Sequence, residues 1–280
     1  MTSMKGKRIL ITGPTSGVGK EIAMQLASLG ADLILACRDL KKGTKTAAEV
    51  TRRTGSTKLT VMQVDTSSRT SIRMFAREFR RRYRRLDVLI NNAAGNRGTL
   101  PKINSADGIE LTFATNVLAY FLLTNELLDV LKRSTPARIV NVASEYASDV
   151  DLDDLQFETR KFESFRAYAQ SKACNRMLSW AFARRLEDSG VTVNVNSFDD
   201  VGIDSLRLSA TKGPAGTEVY NILLKQPPYQ FQIKAPAFDP VDPTQNILHL
   251  HVEAIDGYGV KSGDPDQHRA PRAHLRARHA

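Results

Sequence analysis

The sequence predicts a single-domain α/β protein in which a parallel β-sheet carries helices on both faces. Three observations lead to this fold class. The length of 280 residues suits one large α/β domain. Short apolar runs alternate with segments of helical periodicity from residue 7 to residue 195, and no linker interrupts that alternation. Parallel strands joined by right-handed crossovers place the intervening helices on both faces of the sheet.

The predicted elements follow one another closely along the chain. Strands are predicted at Arg8–Thr12, Leu33–Ala36, Leu59–Val64, Val88–Asn91, Arg138–Val142 and Thr192–Val195. Helices are predicted near Gly17–Leu29, Leu40–Thr54, Ser68–Tyr83, Gly108–Lys132 and Phe165–Asp188. After residue 200 the periodicity fades, although Asn246–Val252 is predicted as a late strand. We expect one domain over residues 1–255, with a divergent substrate-covering segment at 206–243, and a basic, mobile tail at 256–280.

Charge and hydropathy limit the expected partners. The net charge of +10 comes largely from arginines between residues 77 and 85 and from the tail. We interpret the first cluster as the solvent face and end of an amphipathic helix, where the helix C-terminus also favours cations. No nucleic-acid partner is expected, because the sequence lacks a recognised binding module with stacking aromatics. The apolar runs fall short of the roughly 20 residues that a transmembrane helix needs, so no such segment is expected.

The cysteines indicate a reducing compartment. Cys37 ends a predicted strand and Cys174 lies in a predicted helix, which argues against a disulfide framework. Neither stands in a metal-ligand spacing, so no metal is expected. The first eight residues lack the features of a signal peptide. A cytoplasmic location is therefore the expectation.

A glycine-rich turn after the first strand predicts a dinucleotide site. Glycines let the chain turn tightly and approach a pyrophosphate, and the N-terminus of the following helix supplies free N–H groups and partial positive charge. Its position as the first strand–helix turn makes the pattern more specific than glycines alone. The residues assigned to this site are Gly13, Thr15, Ser16, Gly17, Val18 and Gly19.

Residues after the next three strands extend the predicted cofactor site. Arg38 stands where enzymes that prefer NAD usually have an acidic residue, and its charge suits a 2′-phosphate, so NADP(H) is favoured. Asp65 is placed to reach the adenine edge, or else to cap the next helix, where Ser67 or Ser68 could cap instead. Asn92 and Ala93 follow the fourth strand, where small residues let the backbone approach the cofactor.

Four polar residues form the predicted catalytic group, and two of them, Tyr168 and Lys172, are also assigned to the cofactor site. Tyr168 and Lys172 are four residues apart in a helix, so the ammonium group lies about one turn from the phenol. A nearby cation favours the phenolate form of the tyrosine. Tyr168 is therefore a candidate general acid or base. Ser144, after the fifth strand, offers a hydroxyl to orient a substrate oxygen. Asn116 lies inside an apolar helix, where it could hold a water that relays protons to Lys172 or could satisfy helix backbone groups.

Taken together, these motifs resemble the short-chain dehydrogenase/reductase family, and most nearly its retinol dehydrogenase-like and protochlorophyllide reductase-like branch. The resemblance covers about residues 7–198. It implies a Rossmann-type doubly wound fold with a seven-stranded sheet, NADP(H), and hydride exchange between the nicotinamide and the carbonyl or alcohol carbon of a small, apolar molecule. It also implies the catalytic roles of the four residues above, and packing of the long helices into a homo-dimer or tetramer.

One segment departs from the family pattern. After the sixth strand the family has Pro-Gly and then a threonine that contacts the nicotinamide, whereas residues 197–205 contain neither Pro-Gly nor threonine and carry Asp199, Asp200 and Asp204. Ser205 is the nearest candidate for the threonine. Two alternatives to an oxidoreductase therefore stay open: an NADP-binding scaffold, and a non-redox enzyme of cyclase or dehydratase type on the same fold.

Overall fold

The structure, a computed structural model, describes residues 3–95 and 101–196, and the backbone of residues 205–212, 217–225 and 248–255. The chain divides into two compact units, Met1–Ser197 and Phe198–Ala280. The predictions for residues 226–247 and for the tail at 256–280 lie outside the described residues, as do Asp199, Asp200 and Asp204.

The first unit contains a six-stranded parallel sheet flanked by helices, which confirms the predicted fold class. Its strands are β1 Arg8–Thr12, β2 Asp32–Cys37, β3 Leu59–Gln63, β4 Val88–Asn91, β5 Ala137–Val142 and β6 Val191–Asn196. Its helices are α1 Gly17–Ser28, α2 Leu40–Thr54, α3 Arg69–Arg82, α4 Leu111–Phe113, α5 Ala119–Arg133 and α6 Ser164–Arg185. Each predicted strand and helix is present, with ends that differ by no more than a few residues.

The strand order β3-β2-β1-β4-β5-β6 creates a crevice at one edge of the sheet. In the register of the central pair, Ile11 lies opposite Ile90, so the carboxyl ends of β1 and β4 are neighbours. The chain leaves β1 toward β2 on one side and enters β4 on the other, which makes this the topological switch point where doubly wound sheets bind ligands. The sheet is Rossmann-like in this respect.

The core is formed by apolar strands buried on both faces. Leu10, Ile34 and Leu89 have no exposed surface, and they pack in one cluster with Phe79 of α3 and Leu127 of α5. Central parallel strands covered by helices on both faces become continuous apolar runs, which is why these strands could be predicted from sequence.

A helix with one irregular turn runs beneath the crevice. The segments α4, a π-helical turn at Ala114–Leu118, and α5 form one continuous helix, Leu111–Arg133. By length and composition it could cross a membrane, and it is the one such helix among the described residues. Half of its most apolar window is buried inside the protein, as in the core helix of a globular protein, so its composition alone does not indicate a membrane span.

The second unit contains an antiparallel sheet that the sequence did not predict. Its strands are β7 Ser205–Lys212, β8 Thr217–Lys225 and β9 Leu248–Ile255, in the order β8-β7-β9. The late strand predicted at Asn246–Val252 corresponds to β9, but β9 pairs with β7 rather than with the parallel sheet. The expectation of seven strands in the parallel sheet was wrong for the described residues, which form six.

Candidate active site

The glycine-rich turn after β1 is packed tightly against the loop after β4. Gly13 has a φ of +66°, and a Cβ placed on it would lie 2.8 Å from the Cα of Ala93. A Cβ on Gly19 would overlap the carbonyl oxygen of Gly13 and the amide nitrogen of Asn92. Only glycine fits at these two positions, so the turn brings bare backbone to the crevice, as a pyrophosphate requires.

Thr12 and Asn92 hold the two loops together. The Thr12 hydroxyl oxygen accepts hydrogen bonds from the backbone N–H groups of Asn92 at 3.0 Å and Ala93 at 2.9 Å. The Asn92 side-chain amide donates to the carbonyl oxygens of Thr12 at 2.9 Å and Gly13 at 3.1 Å. This network fixes the loop after β4 beside the glycine turn. The structure therefore brings together Asn92, Ala93 and the glycines, which the sequence had assigned to one cofactor site.

The N-terminus of α1 faces the same crevice edge. Ser16 occupies the N-cap position, yet its side chain makes no capping hydrogen bond, and Ser16, Gly17 and Val18 are exposed while Thr15 is half-buried. The first turn carries no acidic residue. Its N–H groups and the positive end of the helix dipole therefore suit an anion such as a diphosphate.

Arg38 and Asp65 follow β2 and β3 on the side of the crevice next to β1. Arg38 is exposed directly after β2, and among the described residues its guanidinium makes no hydrogen bond or ion pair. The Asp65 carboxylate accepts hydrogen bonds from the backbone N–H of Ser67 at 2.9 Å and from its hydroxyl at 2.7 Å. Ser68, not Asp65, is the N-cap of α3, since its hydroxyl accepts from the N–H of Ser71. The capping alternative for Asp65 was therefore wrong.

Lys172 is buried behind the half-buried Tyr168. Its ammonium nitrogen donates to the carbonyl oxygen of Val142, at the end of β5, at 2.9 Å. It lies 5.6 Å from the centre of the Tyr168 ring and 5.7 Å from that of Tyr120. Lys172 is only 1% exposed, and burial lowers its pKa to about 8. Near pH 7 it is still mainly charged, so a cation sits beside the candidate proton donor.

Tyr120 does not offer a second proton donor in this region. Its hydroxyl is buried and has no hydrogen-bond partner among the described residues. Burial, with Tyr168 nearby, raises the pKa of Tyr120 far above its usual value. Of the two tyrosines beside Lys172, only Tyr168 is partly exposed.

Asn116 ties three elements together from within the π-helical turn. Its Oδ1 accepts from the N–H of Gly95 at 2.9 Å, and its Nδ2 donates to the Gly95 carbonyl at 3.2 Å and to the Ser171 hydroxyl at 3.0 Å. Both amide hydrogens are thus used, so a relay water at this side chain would have to donate to Oδ1. The Gly95 contacts satisfy backbone groups of the loop after β4, not those of the helix that the alternative named.

Ser144 lies two residues beyond β5, on the same edge of the sheet as the glycine turn. Its hydroxyl oxygen accepts from the N–H of Tyr146 at 3.2 Å, and its carbonyl oxygen accepts from the guanidinium of Arg176 on α6 at 2.9 Å. Among the described residues, the Ser144 hydroxyl donates no hydrogen bond, so its proton is available to another acceptor. Ser144 thus follows β5 and both Tyr168 and Lys172 lie on α6, as the sequence predicted, whereas the π-helical form of the helical turn around Asn116 was not predicted.

Comparisons with known proteins identify the family of the chain. A family model described as short chain dehydrogenase matches residues 7–198. The chain belongs to the short-chain dehydrogenase family. Retinol dehydrogenase 13 of Homo sapiens is 41% identical over 69% of this chain and 58% of its own length. Retinol dehydrogenase 14 of Homo sapiens is 35% identical over 91% of this chain and 77% of its own length. The resemblance to the retinol dehydrogenase-like branch is confirmed, although the chain matches less than two thirds of the first of these relatives.

Solved structures share the first unit of this short-chain dehydrogenase. An uncharacterised protein from Mycobacterium paratuberculosis has a TM-score of 0.60 and 34% identity, with 69% of this chain and 67% of that chain covered. The Pseudomonas aeruginosa RhlG/NADP active-site complex has a TM-score of 0.58 and 29% identity, with 70% and 73% covered. A metagenomic short-chain oxidoreductase in complex with NADP has a TM-score of 0.59 and 26% identity, with 72% and 86% covered.

A buried polar network in this short-chain dehydrogenase bears out the expectation that asparagine amides after β4 tie adjacent strands together, although sequence reasoning missed the partners of Asn91. The Asn91 amide donates to Thr124 Oγ1 at 3.1 Å and to Asn141 Oδ1 at 2.8 Å, and the Asn141 amide donates to Ser179 Oγ at 2.9 Å. These bonds fasten β4 to β5 and both strands to α5 and α6. Ser171 was missed too. Polar residues in otherwise apolar strands, such as Asn141, were the available signal.

Proposed function

We propose that the protein is an NADP(H)-dependent oxidoreductase that interconverts a carbonyl and an alcohol on a small, apolar molecule. The observation that carries the proposal is the placement of Lys172, which is buried, held by the Val142 carbonyl, and 5.6 Å from the Tyr168 ring. A buried cation beside a partly exposed phenol, at the edge of a dinucleotide crevice, suits proton transfer at a reacting oxygen.

The residues divide the work between proton transfer and positioning. A bound NADP(H) would supply or accept the hydride. Tyr168 gives its hydroxyl proton to the carbonyl oxygen during reduction and takes it back during oxidation, and the charge on Lys172 stabilises the phenolate between these events. The Ser144 hydroxyl donates to the same substrate oxygen, and Asn116 holds the Gly95 loop and α6 in register.

The glycine turn fits the diphosphate of this cofactor, and Arg38 supports a preference for the 2′-phosphate form. Arg38 is exposed at the end of β2 and without an acidic partner among the described residues. The NADP complexes among the related structures support the same choice. Asp65, beside it after β3, is proposed to contact the adenine. Arg38→Asp should weaken binding of NADPH more than that of NADH, and Arg184→Asp, at the exposed end of α6, serves as the control. Equal weakening of both cofactors would refute the assignment.

The reaction itself is tested by NADPH oxidation with a panel of apolar aldehydes and ketones. The wild-type protein should turn over, and Tyr168→Phe should bind NADPH with unchanged affinity but lose turnover, because the ring remains and only the transferable proton is lost. Tight NADPH binding without turnover of any carbonyl would favour the scaffold alternative. Product formation without NADPH consumption would favour the cyclase or dehydratase alternative.

The paired charges of the arginine cluster support a solvated surface rather than a nucleic-acid site. Arg81 and Arg82 both pair with Glu78, and Arg85 pairs with Asp87. Phosphate binding would have to compete with these carboxylates. A fluorescence titration with duplex DNA and RNA at physiological salt should show no saturable binding, and a salt-dependent isotherm would contradict this.

A homodimer through α5 and α6 is proposed from their exposed apolar side chains. Phe121 on α5 and Phe182 on α6 have ring centres 5.9 Å apart, so the two helices are neighbours. Phe121, Met177 and Trp180 are 42%, 42% and 51% exposed, which is unusual for large apolar residues on adjacent helices. Light scattering should give twice the monomer mass, and Trp180→Glu should halve it.

A cytoplasmic location is proposed because Cys37 and Cys174 are both buried, free thiols. Free thiols persist in reducing compartments. Fractionation of cells expressing the tagged full chain should recover it in the soluble fraction, and recovery with membranes after a salt wash would argue against this location.

A further inference from the structure

Two aromatic rings stand exposed beside the candidate catalytic group. Tyr146 is 66% exposed and Phe165 is 53% exposed. Their ring centres are 5.5 Å apart and their planes meet at 71°, an edge-to-face pair. Single exposed apolar residues are common on protein surfaces and need no explanation, but two large rings that pack on each other and leave most of their surface to water form an apolar patch.

Each ring lies within three residues of a candidate catalytic residue in the sequence. Tyr146 follows Ser144 by two residues, and its N–H donates to the Ser144 hydroxyl oxygen at 3.2 Å. Phe165 precedes Tyr168 by three residues on α6, a spacing that places both side chains on one face of the helix. The aromatic pair is therefore continuous with the two hydroxyl groups that would hold the substrate oxygen.

The segment that carries Tyr146 is fixed along α6. The N–H of Ser148 donates to the Ala169 carbonyl at 3.3 Å, and the N–H of Asp151 donates to Gln170 Oε1 at 3.3 Å. Gln170 is buried and its amide donates to the Leu155 carbonyl at 3.0 Å.

The next part of the same segment is fixed as well. The Asp154 carboxylate accepts hydrogen bonds from the backbone N–H groups of Glu158, Thr159 and Arg160. The Arg160 guanidinium also reaches Gln170 Oε1 at 3.2 Å. Since this loop is held by hydrogen bonds, the backbone that carries Tyr146 does not have to be ordered when a ligand binds, and little backbone conformational entropy is lost at that step.

We propose that Tyr146 and Phe165, here named the aromatic platform, bind the apolar body of the substrate next to its reacting carbonyl. The inference rests on the proposed oxidoreductase function and names its specificity residues. An elongated hydrocarbon body covers both rings while its carbonyl oxygen reaches Ser144 and Tyr168. A carbonyl compound of two or three carbons cannot cover them. The enzyme therefore selects carbonyls that carry a long apolar chain, and gains most of that selectivity from the two rings.

The test compares a long and a short aldehyde in NADPH oxidation. Tyr146→Ala and Phe165→Ala should each lower kcat/KM for nonanal about tenfold, about 1.4 kcal/mol, mostly through KM, and that for propanal only about twofold. Tyr146→Phe keeps the ring and should retain the wild-type selectivity. Met74→Ala removes a 56% exposed apolar side chain on α3 and is the matched control, with no effect on either substrate.

A binding measurement separates failure of the platform from failure of the proposed function. Nonanamide, whose carbonyl is not reduced, is titrated by calorimetry into protein saturated with NADP⁺. If wild-type protein reduces no aldehyde, but the two alanine variants still bind nonanamide about tenfold more weakly, the platform holds and the redox proposal is wrong. If wild-type protein is active and its preference for nonanal over propanal is unchanged in both alanine variants, the platform is wrong and the activity stands. If the alanine variants have a lower oligomer mass but unchanged selectivity, the two rings form a contact between copies of the chain. That result would also overturn the platform.

Discussion

Replacing Lys172 with methionine should stabilise the folded protein at neutral pH while removing its activity. Lys172 is 1% exposed, and burial lowers the pKa of its ammonium group from 10.5 to about 8. Below about pH 8 the folded protein therefore holds a charge that its buried site disfavours, whereas the unfolded chain binds the same proton more tightly. Methionine keeps the apolar stem of the side chain without the charge.

The magnitude follows from the difference in pKa. A fall from 10.5 to about 8 costs about 3 kcal/mol of stability at neutral pH, at about 1.4 kcal/mol for each tenfold change in proton affinity. The variant also loses the hydrogen bond from Lys172 to the Val142 carbonyl, which costs about 1 kcal/mol. The net expectation is a gain of about 2 kcal/mol in the free energy of unfolding at about pH 7.

The sign of the pH dependence distinguishes this effect from ordinary packing changes. As pH rises from about 8 toward 10.5, the folded lysine loses its proton while the unfolded one keeps it, so the cost in the wild-type protein is relieved. The advantage of the variant should therefore shrink to about zero near pH 10. Urea denaturation of the cofactor-free proteins across this range measures it, with Lys45→Met, an exposed lysine of α2, as the control for loss of one positive charge.

A variant that is equally or less stable at neutral pH, with a difference that does not change with pH, would refute the reasoning. It would mean that Lys172 carries no desolvation cost, and that the buried cation beside Tyr168 is not strained by its surroundings.

Two further predictions concern the two edges of the parallel sheet, the glycine turn after β1 and the Asp87 ion pair before β4. Gly19→Ala should lower the free energy of unfolding by about 1–3 kcal/mol and weaken NADPH binding, because the added Cβ meets Gly13 and Asn92. Urea denaturation measures the stability and a fluorescence titration measures the NADPH affinity. Wild-type values for both would contradict the tight packing of the turn. Asp87→Asn should cost about 2 kcal/mol near pH 7, since its buried carboxylate accepts from Arg85 and from backbone. Burial would raise the pKa of Asp87, but these hydrogen bonds hold it below its usual value. The difference should therefore fade only when the pH falls below the usual range of a carboxyl group and through the lowered pKa of Asp87, and a constant difference would argue against the ion pair.

The parallel sheet could be predicted from the sequence because its strands are buried on both faces. Leu33, Ile34 and Leu35 form an unbroken apolar run with no exposed surface, and such runs stand out against the amphipathic helices between them. The antiparallel strands β7 and β8 could not be found in the same way. β7 alternates polar and apolar side chains over Ser205–Ala210 but is not a continuous apolar run, and β8 has no regular alternation. The pairing of β7 with β9 joins segments far apart in sequence.

The site was predicted in its residue types but not in its contacts. Tyr168 and Lys172 could be placed by helical spacing alone, because residues four apart share a face. The π-helical turn around Asn116 could not, since it depends on the fold bringing Gly95 and Ser171 within reach of one amide. The partner of Lys172 is a backbone carbonyl of Val142, and a carbonyl carries no sequence signal.

The most direct test of the central claim is NADPH oxidation by the full chain with a long-chain aldehyde, run beside NADPH binding for wild-type protein and Tyr168→Phe. We expect turnover in the wild-type protein, equal NADPH affinity in both proteins, and no turnover in the variant. Undiminished turnover in Tyr168→Phe would contradict the role of its hydroxyl as the proton donor, and tight NADPH binding by a wild-type protein that reduces no carbonyl would contradict the oxidoreductase function.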